Sequence, residues 1–165
     1  MKLELRDVQK RYESGPTPVY ALRGVSLDVQ LGEYIAITGP SGSGKSTLLS
    51  ILGCLEVPTQ GTYRIDGRDV TRMSDRERSA LRARWVGFVF QAFHLIPDMT
   101  ALENVMLPMV YAGTARANRR KRARHLLDKV GMTHRADFRA SQLSGGEQQR
   151  VAIARALAND AKLIL

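Results

Sequence analysis

The chain is 165 residues long, 44% hydrophobic and 25% charged, which fits one globular domain with a sizeable core and excludes a disordered chain. A single cysteine excludes an internal disulfide, and no apolar run reaches bilayer-spanning length. The net charge of +9 is concentrated, because six of the nine residues from Arg116 to Arg124 are basic.

The chain opens with Leu3, Leu5 and Val8 alternating with polar residues, the pattern of a half-buried strand. Ser14-Gly15-Pro16-Thr17-Pro18 reads as a turn. A second alternating run, Val25 to Val29, leads into Tyr34-Ile35-Ala36-Ile37-Thr38. That run is continuously apolar and predicts a buried central strand. It feeds directly into Gly39-Pro40-Ser41-Gly42-Ser43-Gly44-Lys45-Ser46, a complete G-x-x-x-x-G-K-S loop, and a helix is predicted over 46–55. Strand, glycine loop and helix in that order make a phosphate cradle. The glycines let backbone N–H groups turn inward, and the helix adds its positive end. Lys45 then reaches the β- and γ-phosphates, Ser46 takes a place on Mg²⁺, and Thr47 adds a donor near the α-phosphate. The bland alternative is a glycine-rich turn that happens to precede lysine and serine. The flanking elements decide against it.

Cys54 lies in an apolar run and reads as a small buried side chain. Gly61 to Gly67 predicts a strand ending in an Asp66-Gly67 turn. Ser74 with Glu77, and Thr100 with Glu103, have capping-box spacing. Val86 to Phe90 predicts another apolar strand, ending at Gln91. Leu102, Val105, Met106 and Met109 share one helical face, with Pro108 expected to kink it. The basic cluster precedes Leu126, Leu127, Val130 and a stop at Gly131. It reads as the solvated face of an amphipathic helix rather than a nucleic-acid site, since no aromatic is interleaved to stack bases. The three histidines have no ligand spacing.

Leu143-Ser144-Gly145-Gly146-Glu147-Gln148-Gln149-Arg150 is the second motif. Serine with glutamate three residues on is a capping box, so a plain helix start is the bland reading. The two glycines favour function, because each weakens a first turn while leaving its N–H open to a ligand. Leu163-Ile164-Leu165 reads as a last strand.

The two motifs together resemble the nucleotide-binding subunits of ABC transporters over the whole chain. What the resemblance implies for the fold is an α/β P-loop NTPase of RecA-like type. It has a parallel-sheet core, an N-terminal antiparallel β region and an inserted α-helical subdomain. The single domain over 1–165 then divides into an ATP-binding core (1–91 and 143–165) and a helical subdomain (92–142). In that family the second motif closes over the γ-phosphate of ATP held by a partner's glycine loop. The resemblance therefore implies that Ser144, Gly145, Gly146 and Gln148 act in trans in a head-to-tail homodimer, with Glu147 capping their helix. Tyr12 falls where the family stacks an aromatic on adenine; a tyrosine after a strand is by itself ordinary packing. Gln91 matches the glutamine that joins Ser46 on Mg²⁺.

Gly53-Cys54-Leu55, the stretch from Phe88 to Pro97, and Thr100 to Val105 are similar to the macrolide-export and lipoprotein-release group. Ala140 and Ala161 depart from prolines often found there. The implied partner is a transmembrane permease, separate or fused, with the domain cytoplasmic at the inner face of the membrane and no nucleic acid bound. A chromosome-organising ATPase is the alternative, but the insert between the motifs is too short for its coiled coils or zinc modules. A P-loop kinase or GTPase would lack the second motif.

In the family, the strand resembling Leu163-Ile164-Leu165 runs into an aspartate on Mg²⁺ and a glutamate that polarises the attacking water. No catalytic base is therefore assigned. The expectation is a C-terminally incomplete domain that binds ATP weakly and hydrolyses it negligibly, from an intact ATPase.

Overall fold

A computed structural model describes residues 1–13 and 17–165, which form two compact units, Met1–Ser79 and Ala80–Leu165. Ser14, Gly15 and Pro16 of the expected turn lie outside the described residues.

The first unit is built on an antiparallel sheet of β1 (Lys2–Tyr12), β2 (Val19–Gln30), β3 (Gln60–Ile65) and β4 (Arg68–Asp69), in the order β2-β1-β3-β4. Leu3, Leu5 and Val8 all point inward, although strict alternation would place residue 7 there. A register shift between Leu5 and Val8, with Asp7 at φ 48°, supplies the extra residue. Asp66 and Gly67 both have positive φ, as the tight β3–β4 turn requires. Tyr63 is fully buried and its hydroxyl donates to the Leu52 carbonyl at 2.8 Å.

The glycine loop leads into α1 (Lys45–Leu52), whose Leu48, Ile51 and Leu52 are buried. The helix stops short of the expected residue 55 because Cys54 turns left-handed, at φ 57°, to bury its thiol. One expectation fails outright. Tyr34–Thr38 is neither a strand nor buried: Tyr34 is 95% exposed, and neither sheet includes the segment. An apolar run becomes a central strand only when strands pair with it on both sides, and no described strand does so.

Helix α2 (Asp75–Trp85) spans the boundary between the units; Ser74 and Glu77 make the anticipated capping box, with the Glu77 carboxylate 2.8 Å from the Ser74 nitrogen. In the second unit β5 (Val86–Gly87) pairs in parallel with β6 (Leu163–Ile164). The strand expected over 86–90 is regular only in its first two residues, though the Val89 N–H still donates to the Leu165 carbonyl at 2.7 Å.

Helices α3 (Ala101–Tyr111), α4 (Arg116–Lys129) and α5 (Gly145–Ala156) share one core. Leu102, Val105 and Met109 enter it from α3, Ala123, Leu126 and Leu127 from α4, and Val151 and Ala154 from α5. Arg116, Arg120, Lys121 and Arg124 of α4 are exposed, whereas Arg119 and Arg122 are half-buried and Arg122 pairs with Asp160; Gly131, at φ 69°, follows the helix end. Pro108 is accommodated inside α3, and its carbonyl accepts from the Asn159 amide at 3.0 Å. Among the described residues the one buried polar side chain, Asn104, accepts from Ile96 N–H and donates to the Ile96, Met99 and Thr100 carbonyls, pinning the turn that enters α3. Among the described residues no helix is long and apolar enough to cross a membrane.

Candidate functional site

In the first unit the glycine loop is exposed and folded into a cradle. Gly39, Gly42 and Gly44 have φ of 153°, 78° and 88°. Ser43 N–H donates to the Pro40 carbonyl at 3.3 Å and tightens the loop. Lys45 curls back across it, donating from Nζ to the carbonyls of Gly39 at 2.9 Å and Pro40 at 2.6 Å. The ammonium therefore lies over the loop, next to the first turn of α1, which has no side-chain cap. Ser46 is exposed, and its hydroxyl has no partner among the described residues. These donors fit a polyphosphate: one cation, uncapped amides at a positive helix end, and a free hydroxyl suited to a hard cation.

Gly44 has a second reason to be glycine. A Cβ built there would meet the Ala21 carbonyl oxygen at 2.2 Å, so the cradle is seated directly on the β2 backbone.

Tyr12, at the end of β1, is anchored near the same helix. Its hydroxyl lies 2.8 and 2.9 Å from the two carboxylate oxygens of Glu56, and the Thr47 hydroxyl is beside it. Lys10 pairs with Glu56 at 2.9 Å and sits over the Tyr12 ring at 5.1 Å. Burial, more than the Glu56 charge, raises the Tyr12 phenol above its ordinary value. Burial also works against the Glu56 carboxylate, but its hydrogen bonds to Lys10 and Tyr12 outweigh that and hold it below the usual range. The sequence reading missed Lys10 and Glu56. They are 46 residues apart in the chain, and only the pairing of β1 with β3 beside α1 joins them.

In the second unit the second motif starts α5 as the sequence predicts. Ser144 caps the helix, and the Glu147 carboxylate accepts from the Ser144 N–H at 2.8 Å and hydroxyl at 2.9 Å. Those hydrogen bonds, with Arg135 at 3.2 Å, hold Glu147 below its ordinary range. Gln148 donates its amide to the Leu143 carbonyl at 3.0 Å.

Ser144, Gly145 and Gly146 are exposed. A Cβ at Gly145 would find its nearest atom at 3.9 Å, and one at Gly146 at 3.7 Å, and neither residue has positive φ. The fold has room for side chains at both positions. Glycine there puts no side chain beside the N–H groups of the helix's first turn, so a ligand could approach them closely. Gln91 lies exposed in the turn after β5, followed by Phe93 and His94 in left-handed conformation. Arg155, which the sequence reading also passed over, reaches that segment from α5.

Residues 22–165 match the family model described as ABC transporter. An uncharacterized ABC transporter ATP-binding protein of Thermotoga maritima is 58% identical over 163 residues, 99% of this chain and 70% of that protein. The macrolide export ATP-binding/permease protein MacB of Brucella melitensis is 53% identical, and there the chain spans 25% of the relative's length. Among solved structures, the dimeric MJ0796, a bacterial ABC transporter cassette, aligns with TM-score 0.90 and 46% identity, covering 98% of this chain and 72% of that one. The same cassette in a post-hydrolysis state bound to ADP and Pi aligns with TM-score 0.91.

Proposed function

We propose, from the premise that this chain belongs to the ABC transporter family as one of its ATP-binding domains, that it binds Mg-ATP between two copies of itself and drives a membrane-embedded partner in export. The observation that carries this reading is the pair of open anion sites: a lysine-crossed glycine cradle, and a helix start whose two glycines are not required by the fold. Each supplies part of a polyphosphate shell.

Gly39 to Gly44 and Pro40 form the cradle, Lys45 leaves its two carbonyls for the β- and γ-phosphates, and Thr47 supports the α-phosphate. Ser46 and Gln91 are the side chains that would hold Mg²⁺, which supplies charge neutralisation at the phosphate oxygens. Tyr12, its hydroxyl fixed by Glu56, offers a ring face to adenine. Ser144, Gly145, Gly146 and Gln148 of a second copy close over the γ-phosphate, with Glu147 committed to capping. The ATP-binding core takes 1–91 and 143–165, with 92–142 as the helical subdomain.

The similarity to MacB, an ATP-binding/permease protein, supports a macrolide- or lipoprotein-type export role. It also supports a place on the cytoplasmic face of the membrane, held by a separate or fused permease. The testing experiment is equilibrium binding of ATP with and without Mg²⁺. Saturable, Mg²⁺-enhanced binding that Lys45→Ala removes is the expected result. Binding unchanged by Lys45→Ala in a folded protein would refute the cradle's role.

A further inference from the structure

We propose that Arg155 is a positioning residue. From the last turn of α5 it holds Phe93–His94 in left-handed form, so that the turn carrying Gln91 and the helix start carrying Ser144, Gly145 and Gly146 move as one body. The proposal rests on the reading of those motifs as nucleotide contacts.

Phe93 and His94 are consecutive non-glycine residues with φ of 59° and 47°. The bulky Phe93 side chain disfavours that region, which histidine enters more readily, and two such residues in succession persist only when their surroundings hold them there. Local bonds supply part of the hold. Phe93 N–H donates to the Phe90 carbonyl at 3.0 Å, and His94 N–H to the Ala92 carbonyl at 2.6 Å. One guanidinium supplies the rest. Arg155 donates from Nη2 to the Phe93 carbonyl at 2.7 Å and from Nη1 to the His94 carbonyl.

One guanidinium that bonds two successive carbonyls fixes the orientation of the two peptide planes relative to each other. The planar fork of arginine therefore recognises this conformation, which a single ammonium cannot do. No carboxylate lies within ion-pair distance of Arg155 among the described residues, and burial depresses its proton affinity. A half-buried cation is thus held by two carbonyls that are 61 and 62 residues away in the chain. A cation serving only the carbonyl end of its own helix would bond that helix's last turn instead.

Phe93 also reaches the opposite end of α5. Its ring carbon Cζ lies 3.9 Å from the place a Gly145 side chain would occupy. The segment after Gln91 is therefore fastened to α5 by backbone at Arg155, with the Phe93 ring lying near Gly145. Leu95 continues the attachment by packing on the core shared by α3 and α5.

The test compares wild-type protein with Arg155→Gln, Arg155→Lys and the double variant Arg155→Gln/His94→Gly, by hydrogen exchange without nucleotide and by equilibrium binding of ATP with and without Mg²⁺. Losing the fork should speed exchange over 91–96 about tenfold or more, with α3 and α5 unchanged. In the binding assay the affinity without Mg²⁺ should hold, because the cradle is intact, while the enhancement by Mg²⁺ that Gln91 would support should weaken several-fold. Arg155→Lys should be intermediate. Glycine at 94, free to adopt positive φ, should restore slow exchange.

Wild-type exchange over 91–96 in Arg155→Gln, or loosening spread evenly through the unit, would overturn the proposal, as would an unchanged enhancement of ATP binding by Mg²⁺. Should Arg155→Gln not fold, Arg155→Lys carries the same test, and wild-type behaviour there overturns it equally. A wild-type protein that fails to bind ATP would defeat the proposed function, while the nucleotide-free exchange still decides whether Arg155 holds the segment.

Discussion

In the proposed function Lys45 is the side chain on which nucleotide affinity depends most. Its two bonds to the loop's own carbonyls are exchanged for charge-assisted bonds to phosphate, so Lys45→Ala should cost roughly ten- to a hundredfold in ATP affinity. Thermal stability should hardly change, because the group is at the surface. The glycines separate into two kinds. Gly44→Ala drives a methyl into the Ala21 carbonyl at positive φ and should destabilise the protein by about 2–4 kcal/mol, read by chemical denaturation. Gly146→Ala meets no clash and has a helical neighbourhood, so its stability should be equal or slightly higher. Its loss should appear only in ATP-dependent association. The opposite pattern, with Gly146→Ala unfolding the chain, would mean that the second motif's glycines serve packing.

At the level of elements, three helices are started by the same device, Ser74–Glu77 at α2, Thr100–Glu103 at α3 and Ser144–Glu147 at α5. The serine or threonine donors hold each carboxylate below its ordinary value in the folded chain. Each contribution is therefore complete above that value, 4.5, and is lost as pH falls through the lower folded value. These groups are exposed, so each effect is modest. Glu147→Ala should lower the melting temperature at pH 7 and leave it near wild type at pH 3. An equal loss at both pH values would contradict a charge-dependent cap.

These boxes were legible in the sequence because both partners lie within one turn. So were the Asp66-Gly67 turn, the glycine cradle and the buried stripe of α4. What was not legible depends on residues distant in the chain. The bulge at Asp7 that turns Val8 inward, the Lys10–Tyr12–Glu56 group and the grip of Arg155 on Phe93 each need the tertiary fold to bring partners together. Tyr34–Thr38 is the reverse case: its apolar run signals a central strand, but hydropathy cannot supply the neighbouring strands that would make it one.

For the whole molecule, the two anion sites fall in different compact units, the cradle in Met1–Ser79 and the second motif in Ala80–Leu165. Neither is a complete shell for ATP, and the proposed function has the cradle of one copy meet the second motif of another. Sedimentation velocity with Mg²⁺ and a hydrolysis-resistant ATP analogue tests this most directly, on wild type, Lys45→Ala, Ser144→Arg and an equimolar mixture of the two variants. Wild type should shift from monomer to dimer only with nucleotide, and each variant alone should stay monomeric. The mixture, which regenerates one intact site per pair, should dimerise at higher concentration. A nucleotide-saturated wild type that stays monomeric, or Ser144→Arg dimerising like wild type, would contradict the shared site.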